Sequence, residues 1–123
     1  MTTMNYRLRS MPAAQVHVEF VRDNHNELVA VHLYSYRTRI LEIDRVEKDG
    51  GYVWVTNVVF NPAYSHTTMR HVNRFTNELF GTNYYYECKH AWQYEHPLCE
   101  VLNHHIVMDF WNEYRQYGKH FHY

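Results

Sequence analysis

The sequence predicts an α+β domain in which an antiparallel four-stranded β-meander is followed by two helices. In the first half, short runs alternate apolar and polar residues, which is the period of a half-buried strand. In the second half, apolar residues recur every three or four positions, as in an amphipathic helix. With 123 residues, the chain is predicted to form a single domain over 1–123. Its sheet is predicted at about 16–60 and its helices at about 65–80 and 98–117.

Four runs carry the strand pattern. In the first run, two valines and Phe20 alternate with His17 and Glu19, so one face of that strand is apolar. Short connections between the runs favour antiparallel neighbours, and the Gly-Gly pair at 50–51 favours a hairpin turn. The runs predicted as strands are 16–21, 28–34, 37–45 and 52–60.

Two stretches of the second half carry the helical pattern. The apolar stripe of the first helix consists of Met69, Val72, Phe75 and Leu79. Gly81 follows this stripe as a typical helix C-cap. The second helix is predicted to bury apolar residues from 101 to 114, and the residues after 118 are expected to fray. The segment 82–96 has no clear period, although the tyrosines at its start favour extended structure.

The composition excludes several classes of protein. Hydrophobic residues make up 46% of the chain and only four residues are glycine, so a disordered or collagen-like chain is excluded. The 12 basic residues are balanced by 13 acidic ones, which disfavours a uniformly basic nucleic-acid-binding surface. No run is apolar and long enough to cross a membrane, and the first residues lack a secretory signal pattern. We therefore expect a cytoplasmic protein that does not bind membranes.

Eleven histidines raise the question of a metal site. The best candidate cluster is Cys88, His90, His96 and Cys99, which does not repeat the regular ligand spacing of structural zinc sites. The phosphate-binding, metalloprotease and nucleophile-elbow motifs are also absent from the sequence. We therefore expect no metal, no cofactor and no catalytic residues, and a small metal-dependent enzyme is kept as an alternative.

A basic face of the first helix is the main candidate for binding a partner. Arg70, His71 and Arg74 lie together at helical spacing, beside a hydroxyl-rich helix N-terminus that attracts anions. Residues of the neighbouring strand extend this face if the helix packs alongside it. Helix capping and a solvated basic face remain the other interpretation. The predicted partner-binding residues are Tyr36, Arg37, Arg39, Arg70, His71 and Arg74.

The aromatic excess indicates an interface. Twelve tyrosines are too many to bury in a core of this size with every hydroxyl bonded, and tyrosine is enriched at binding hot spots. Trp111, Tyr114 and Tyr117 are the candidates for a second contact, such as a homodimer interface. Nucleic-acid binding is the alternative. It would use a stacking platform of sheet aromatics, namely Tyr34, Tyr36, Tyr52 and Trp54.

Two short runs resemble known sequences. Residues 35–40 and 64–75 resemble the pattern SYxTxI followed by YSxTTxRHxxxF, which occurs in small phage and mobile-element proteins of unassigned function. The matching positions are Ser35, Tyr36, Thr38, Ile40, Tyr64, Ser65, Thr67, Thr68, Arg70, His71 and Phe75. The resemblance covers about 28–80 and implies a phage-type origin.

The resemblance also suggests a class of function. Small phage proteins outside the replication and capsid machinery often act on host defence. We therefore expect an anti-CRISPR-like inhibitor that binds a host defence protein, such as a CRISPR effector, through protein–protein contacts. A nucleic-acid-binding phage regulator is the alternative.

Overall fold

A computed structural model describes residues 1–59, 66–80 and 99–121, and these residues form six strands and two helices. The strands are β1 (Thr2–Arg7), β2 (Val16–Arg22), β3 (Leu28–Ser35), β4 (Thr38–Lys48), β5 (Gly51–Val58) and β6 (Cys99–Asn103). The helices are α1 (His66–Phe80) and α2 (His104–Tyr117). The predicted α+β class is confirmed.

The six strands form one antiparallel sheet in the order β1-β2-β3-β4-β5-β6. Register shifts interrupt the β2–β3 and β3–β4 ladders, after Val21 and after Leu33. In the β4–β5 turn, Asp49 and Gly50 have φ angles of 51° and 79°. Two consecutive positive φ angles are typical of the tight hairpin turn that the Gly-Gly pair predicts.

Both helices cover the same face of the sheet, which we call the inner face. The predicted alternation places Val16, Val18 and Phe20 on this face, and all three are buried. The predicted apolar stripe of α1 is buried as well, and the ring centroids of Phe75 and Phe110 lie 5.5 Å apart where α1 contacts α2. The strand and helix periods therefore predict the central core correctly.

The sheet has two more strands than the predicted four. In β1 only Met4 and Tyr6 provide inward apolar side chains, so its own sequence has little alternation to reveal it. Tyr6 is buried by packing edge-on against the rings of Phe20, Trp111 and Tyr114. This strand is thus formed by tertiary contacts that no local pattern contains.

The predicted helix over 98–117 is also corrected. Residues Cys99–Asn103 form β6 beside β5, with Leu102 opposite Trp54, and the helix begins only at His104. Leu102 fits the helical spacing of the residues that follow it, which explains the misassignment. The buried face of α2 comprises Val107, Phe110, Trp111 and Tyr114.

Residues 118–121, which we call the closing segment, are ordered along β1 and do not fray as the sequence predicts. The amide of Arg7 donates to the carbonyl of Lys119 at 2.7 Å, and the amide of Phe121 donates to that of Asn5 at 2.8 Å. The ring of Phe121 stacks on His17 with centroids 4.4 Å apart. The closing segment therefore covers part of the outer edge of β1.

Neither of the two described helices has the length and hydropathy needed to cross a bilayer.

Candidate functional site

One end of the sheet concentrates positive charge. The strand pairing brings together the end of β1, the β1–β2 loop and the β3–β4 turn, because Arg7 lies opposite His17 and Val16 lies opposite Ser35. The cations at this end, which we call the basic end, are Arg7, Arg9, Arg37, Arg70, Arg74 and Lys119. The turns at the opposite end, which we call the acidic end, carry Asp23, Glu27, Glu47 and Asp49, together with Lys48. The basic end therefore has an excess of positive charge although the chain as a whole is balanced, and Glu78 and Glu113 also lie there.

A buried hydrogen bond fixes α1 against the β3–β4 turn. Ser35 Oγ and His71 Nδ1 are joined by a bond of 2.7 Å, and both side chains are buried. Burial lowers the pKa of His71, and the nearby positive charge of Arg70 lowers it further. A neutral His71 therefore anchors the helix, and this residue, predicted to bind a partner, is only 2% exposed and belongs to the core.

Tyr36 is displayed at the turn that His71 supports. Its φ angle is 57°, in the left-handed region that bulky side chains rarely adopt, and 57% of the residue is exposed. Its amide donates to the carbonyl of Gln15 at 2.6 Å, and its ring centroid lies 6.2 Å from that of His71. The backbone is therefore held in a costly conformation that presents a large aromatic side chain to solvent.

Three guanidinium groups lie on the turn of this tyrosine and on the helix packed against it. Arg37 follows it in the turn, and Arg70 and Arg74 flank the anchor on the exposed side of α1. Within 1–59, 66–80 and 99–121, no carboxylate lies within ion-pair distance of these three arginines. We call Tyr36 and these arginines the α1–turn surface. Four of the six predicted partner-binding residues lie on it.

Arg39 does not belong to this surface. It lies opposite Tyr34 in the β3–β4 ladder, so its side chain lies on the outer face of the sheet. Its Nη2 and Nε donate to the hydroxyl of Tyr34 at 2.7 and 3.0 Å, and Nη1 lies 3.4 Å from a Glu42 oxygen. These contacts with Tyr34 and Glu42 hold the guanidinium away from α1.

Stacked rings cross the outer face beside Arg39. His17 lies between Tyr34 and Phe121, with ring centroids 4.8 and 4.4 Å away and nearly parallel planes. Arg39 covers the free side of Tyr34, and Arg7 lies over Phe121. Burial lowers the pKa of His17, although Glu19 opposes this. The row therefore contains a neutral imidazole between two aromatic rings.

Of the three residues predicted to form a second contact, two are buried and one is exposed. Trp111 and Tyr114 are 3% and 0% exposed, because both face Phe20 and Tyr6 on the inner side of α2. They form core and not the exposed interface that the sequence predicts. Tyr117 is 62% exposed and remains available.

The predicted stacking platform for nucleic acid is not assembled. Trp54 is fully buried on the inner face, where its indole N–H donates to His104 Nδ1 at 3.0 Å. Tyr34 lies on the outer face, and Tyr36 lies in the turn. A single strand of nucleic acid cannot stack on these side chains together.

A cleft of about 320 Å³ at the basic end was not predicted. It is lined by Arg7, Leu8, Arg9, Pro12, Tyr117 and Lys119, and we call it the β1–α2 cleft. Arg9 and the hydroxyl of Tyr114, which meet beside it, are 105 residues apart in the sequence. Because the cleft joins such distant segments, the only local signal is the pair of arginines flanking Leu8.

A second cleft of about 270 Å³ lies near the acidic end. Arg45 lies over the ring of Tyr52 at 4.2 Å and is within 3.3 Å of a Glu27 oxygen and 3.8 Å of an Asp23 oxygen. Its charge is therefore compensated inside the protein. We call this the Arg45 cleft.

The described part of the chain contains no group of three His, Cys, Asp or Glu residues suited to a metal ion. Cys88, His90 and His96 of the candidate cluster lie outside the described residues, as do Tyr64, Ser65 and the segment 82–96.

Comparison with known proteins gives one match. A family model described as "Family of unknown function (DUF8033)" matches residues 6–93, which include the last two residues of β1, all of β2 to β5, α1 and the α1–turn surface. No curated protein and no solved structure matches the chain.

Proposed function

Because the chain belongs to DUF8033, a family of unknown function, we propose its function from its own surface: it binds an acidic site on a partner protein. The contact is made by the α1–turn surface. The resemblance to phage proteins suggests a host defence protein as the class of partner. The protein then acts by occupying a surface, without a reaction of its own.

The observation that carries this proposal is the backbone of Tyr36. A non-glycine residue in the left-handed region costs about 1 to 2 kcal/mol, and glycine or asparagine at this position would cost less. A strained position that displays a large aromatic ring is the kind of site at which strain serves function. Tyrosine also brings contact area with little loss of side-chain entropy.

Charge determines the chemistry of the partner. Arg37, Arg70 and Arg74 lack carboxylate partners among the described residues, so their counter-charges are supplied by solvent ions or by a bound molecule. Arginine is enriched at hot spots because its planar fork binds carboxylates with two hydrogen bonds. An acidic protein surface satisfies these three groups, and tyrosine with arginine is the composition of an interface core.

Photo-crosslinking tests the proposal at the residue that supports it. Tyr36→p-benzoylphenylalanine keeps an aromatic ring at the turn and should crosslink a discrete protein from a bacterial lysate. The same substitution at Tyr52 is the matched control, because Tyr52 is also exposed (41%) but lies at the acidic end. Arg70→Glu with Arg74→Glu should abolish the crosslink at position 36 without changing the melting temperature.

Two results contradict this function. One is an identical set of crosslinked proteins from positions 36 and 52. The other is binding to nucleic acid that falls steeply with salt and is lost in the Arg70→Glu/Arg74→Glu variant, which would favour the regulator.

A further inference from the structure

We propose that the β1–α2 cleft is a separate binding site for a nucleotide. The phosphate groups contact Arg7, Arg9 and Lys119, and the base stacks on Tyr117. This site shares no residue with the α1–turn surface, so it stands apart from the proposed protein contact.

The charge of the lining indicates an anionic ligand. Three of the six lining residues are cations and none is acidic. Glu113 pairs with Arg9 at 3.0 Å from the rim, where 61% of its side chain is exposed. By contrast, the lining of the Arg45 cleft itself includes a carboxylate, that of Glu27. An excess of positive charge confined to a small concave site attracts a multiply charged anion.

Two of the three cationic side chains, those of Arg7 and Arg9, are held by other residues of the protein before any ligand binds. The guanidinium of Arg7 lies over the ring of Phe121 at 5.3 Å, and its Nη1 donates to the carbonyl of Pro12 at 3.3 Å. The guanidinium of Arg9 lies over the ring of Tyr117 at 5.4 Å. Side chains already restrained by aromatic faces lose less entropy when they bind a ligand.

Backbone hydrogen bonds align the three segments. The amide of Arg7 donates to the carbonyl of Lys119 at 2.7 Å, and the amide of Arg9 donates to the hydroxyl of Tyr114 at 3.0 Å. That hydroxyl in turn donates to Glu78 at 2.5 Å. Burial and the Glu78 charge raise the pKa of Tyr114, so the phenol keeps the proton that it donates. The backbone positions of Arg7, Arg9 and Lys119 are therefore fixed relative to one another by the core.

Size and aromatic lining narrow the ligand class. At about 320 Å³ the cleft is at the lower end of the size range of ligand pockets, roughly 300 to 1,000 Å³, which suits a mononucleotide. Tyr117 is 62% exposed at its rim and offers a ring surface for a planar base. A guanidinium pair and an ammonium group beside an aromatic ring combine phosphate and base recognition.

Calorimetry with pyrophosphate, ADP and adenosine on the full chain tests this assignment. ADP should bind, pyrophosphate should bind more weakly, and adenosine should not bind. Lys119→Ala should weaken ADP binding about tenfold or more through loss of a charge-assisted contact. Tyr117→Ala should weaken ADP binding about fivefold or more, through loss of base stacking, and should weaken pyrophosphate binding less, through loss of the restraint on Arg9. Arg115→Ala, on the same helix but lining the Arg45 cleft, is the control that should keep full affinity.

Other outcomes would show either that the cleft does not bind anions or that its ligand is not a nucleotide. If neither ADP nor pyrophosphate binds at low salt, or if Lys119→Ala and Arg115→Ala weaken ADP equally, the cleft is not an anion site. If ADP and pyrophosphate bind with equal affinity and Tyr117→Ala has no effect on either, the ligand is an anion without a stacked base, and the assignment of a nucleotide is wrong. Circular dichroism of each variant verifies that the fold is kept. The Arg70→Glu/Arg74→Glu variant should bind ADP normally, which separates this test from that of the protein contact.

Discussion

Ser35 Oγ lies 2.7 Å from His71 Nδ1, and this buried hydrogen bond is the polar link between α1 and the β3–β4 turn. It places the exposed arginines of the helix beside Tyr36. A polar pair in an apolar layer specifies one helix position, because any other position leaves both groups unsatisfied.

Ser35→Ala should therefore destabilise the protein. The substitution removes one partner and leaves the other buried without its hydrogen bond, which costs about 1 to 3 kcal/mol in free energy of unfolding. Urea denaturation measures this change. Thr2→Ala, which removes an exposed hydroxyl from β1, is the control and should cost less than about 0.5 kcal/mol. Equal stability of Ser35→Ala and the native protein would show that the link contributes nothing.

Stability should fall as the pH drops below the usual histidine pKa of 6.5, because the pKa values of His17 and His71 are both lowered in the fold. Below that pH the unfolded chain binds protons at these two residues that the folded chain does not, so acid favours unfolding. Each histidine contributes a slope of at most about 1.4 kcal/mol per pH unit. The stabilising effect is complete above pH 6.5 and is lost as the pH falls through the two lowered values.

Urea denaturation between about pH 7.5 and 5 measures this slope. Asp23 does not contribute there, because its lowered pKa, caused mainly by hydrogen bonds from backbone amides, begins from a usual value of 3.8. His71→Gln and His17→Asn should each reduce the slope, and the double variant should reduce it by the sum. A stability that stays constant or increases toward pH 5 would refute this account.

Gly118→Ala should be destabilising although Gly118 has an ordinary φ angle. A Cβ there would lie 2.6 Å from the carbonyl oxygen of Tyr114 and 2.8 Å from the ring of the buried Tyr6. Overpacking of this kind costs about 1 to 3 kcal/mol, which thermal unfolding reports. Gly51→Ala is the matched control, because its nearest neighbour would be a carbonyl 3.9 Å away. If Gly118→Ala and Gly51→Ala have the same melting temperature, the close approach at Gly118 does not contribute to stability.

Tyr36→Asn should keep or increase stability while reducing partner capture. Asparagine tolerates the left-handed region, so relief of strain should stabilise the fold by up to about 1 kcal/mol. Tyr52→Asn provides the comparison: it places a poor strand former in β5 and removes the ring under Arg45, at a cost of about 1 kcal/mol. Differential scanning fluorimetry measures the melting temperatures of Tyr36→Asn and Tyr52→Asn against that of the native protein. A Tyr36→Asn variant less stable than Tyr52→Asn would show that Tyr36 has a structural role.

Local periods in the sequence predict β2 to β5 and α1, because each of these elements buries a face that its own residues define. They do not predict β1, which is buried by aromatic residues of α2, or β6, whose Leu102 continues the helical spacing that follows it. Alternation does not predict the position of Arg39 either, because Ile40 and Leu41 are both buried where the β3–β4 register shifts.

Burial of the other site residues depends on packing that a single sequence does not show. Helical spacing groups His71 with Arg70 and Arg74. His71 also neighbours the buried Val72, and whether the buried stripe of the helix is wide enough to include His71 depends on where the sheet lies. The β1–α2 cleft combines β1, its following loop and the end of α2, so no local pattern could predict it.

The closing segment has a consequence for the order of assembly during translation. The outer edge of β1 gains its partner only when Lys119 and Phe121 have left the ribosome, long after β1 itself has emerged. Until then, nascent chains expose the unpaired amides and carbonyls of an edge strand, which is a template for association with other chains. Ribosome-bound intermediates that lack the closing segment should therefore be the species most dependent on chaperones.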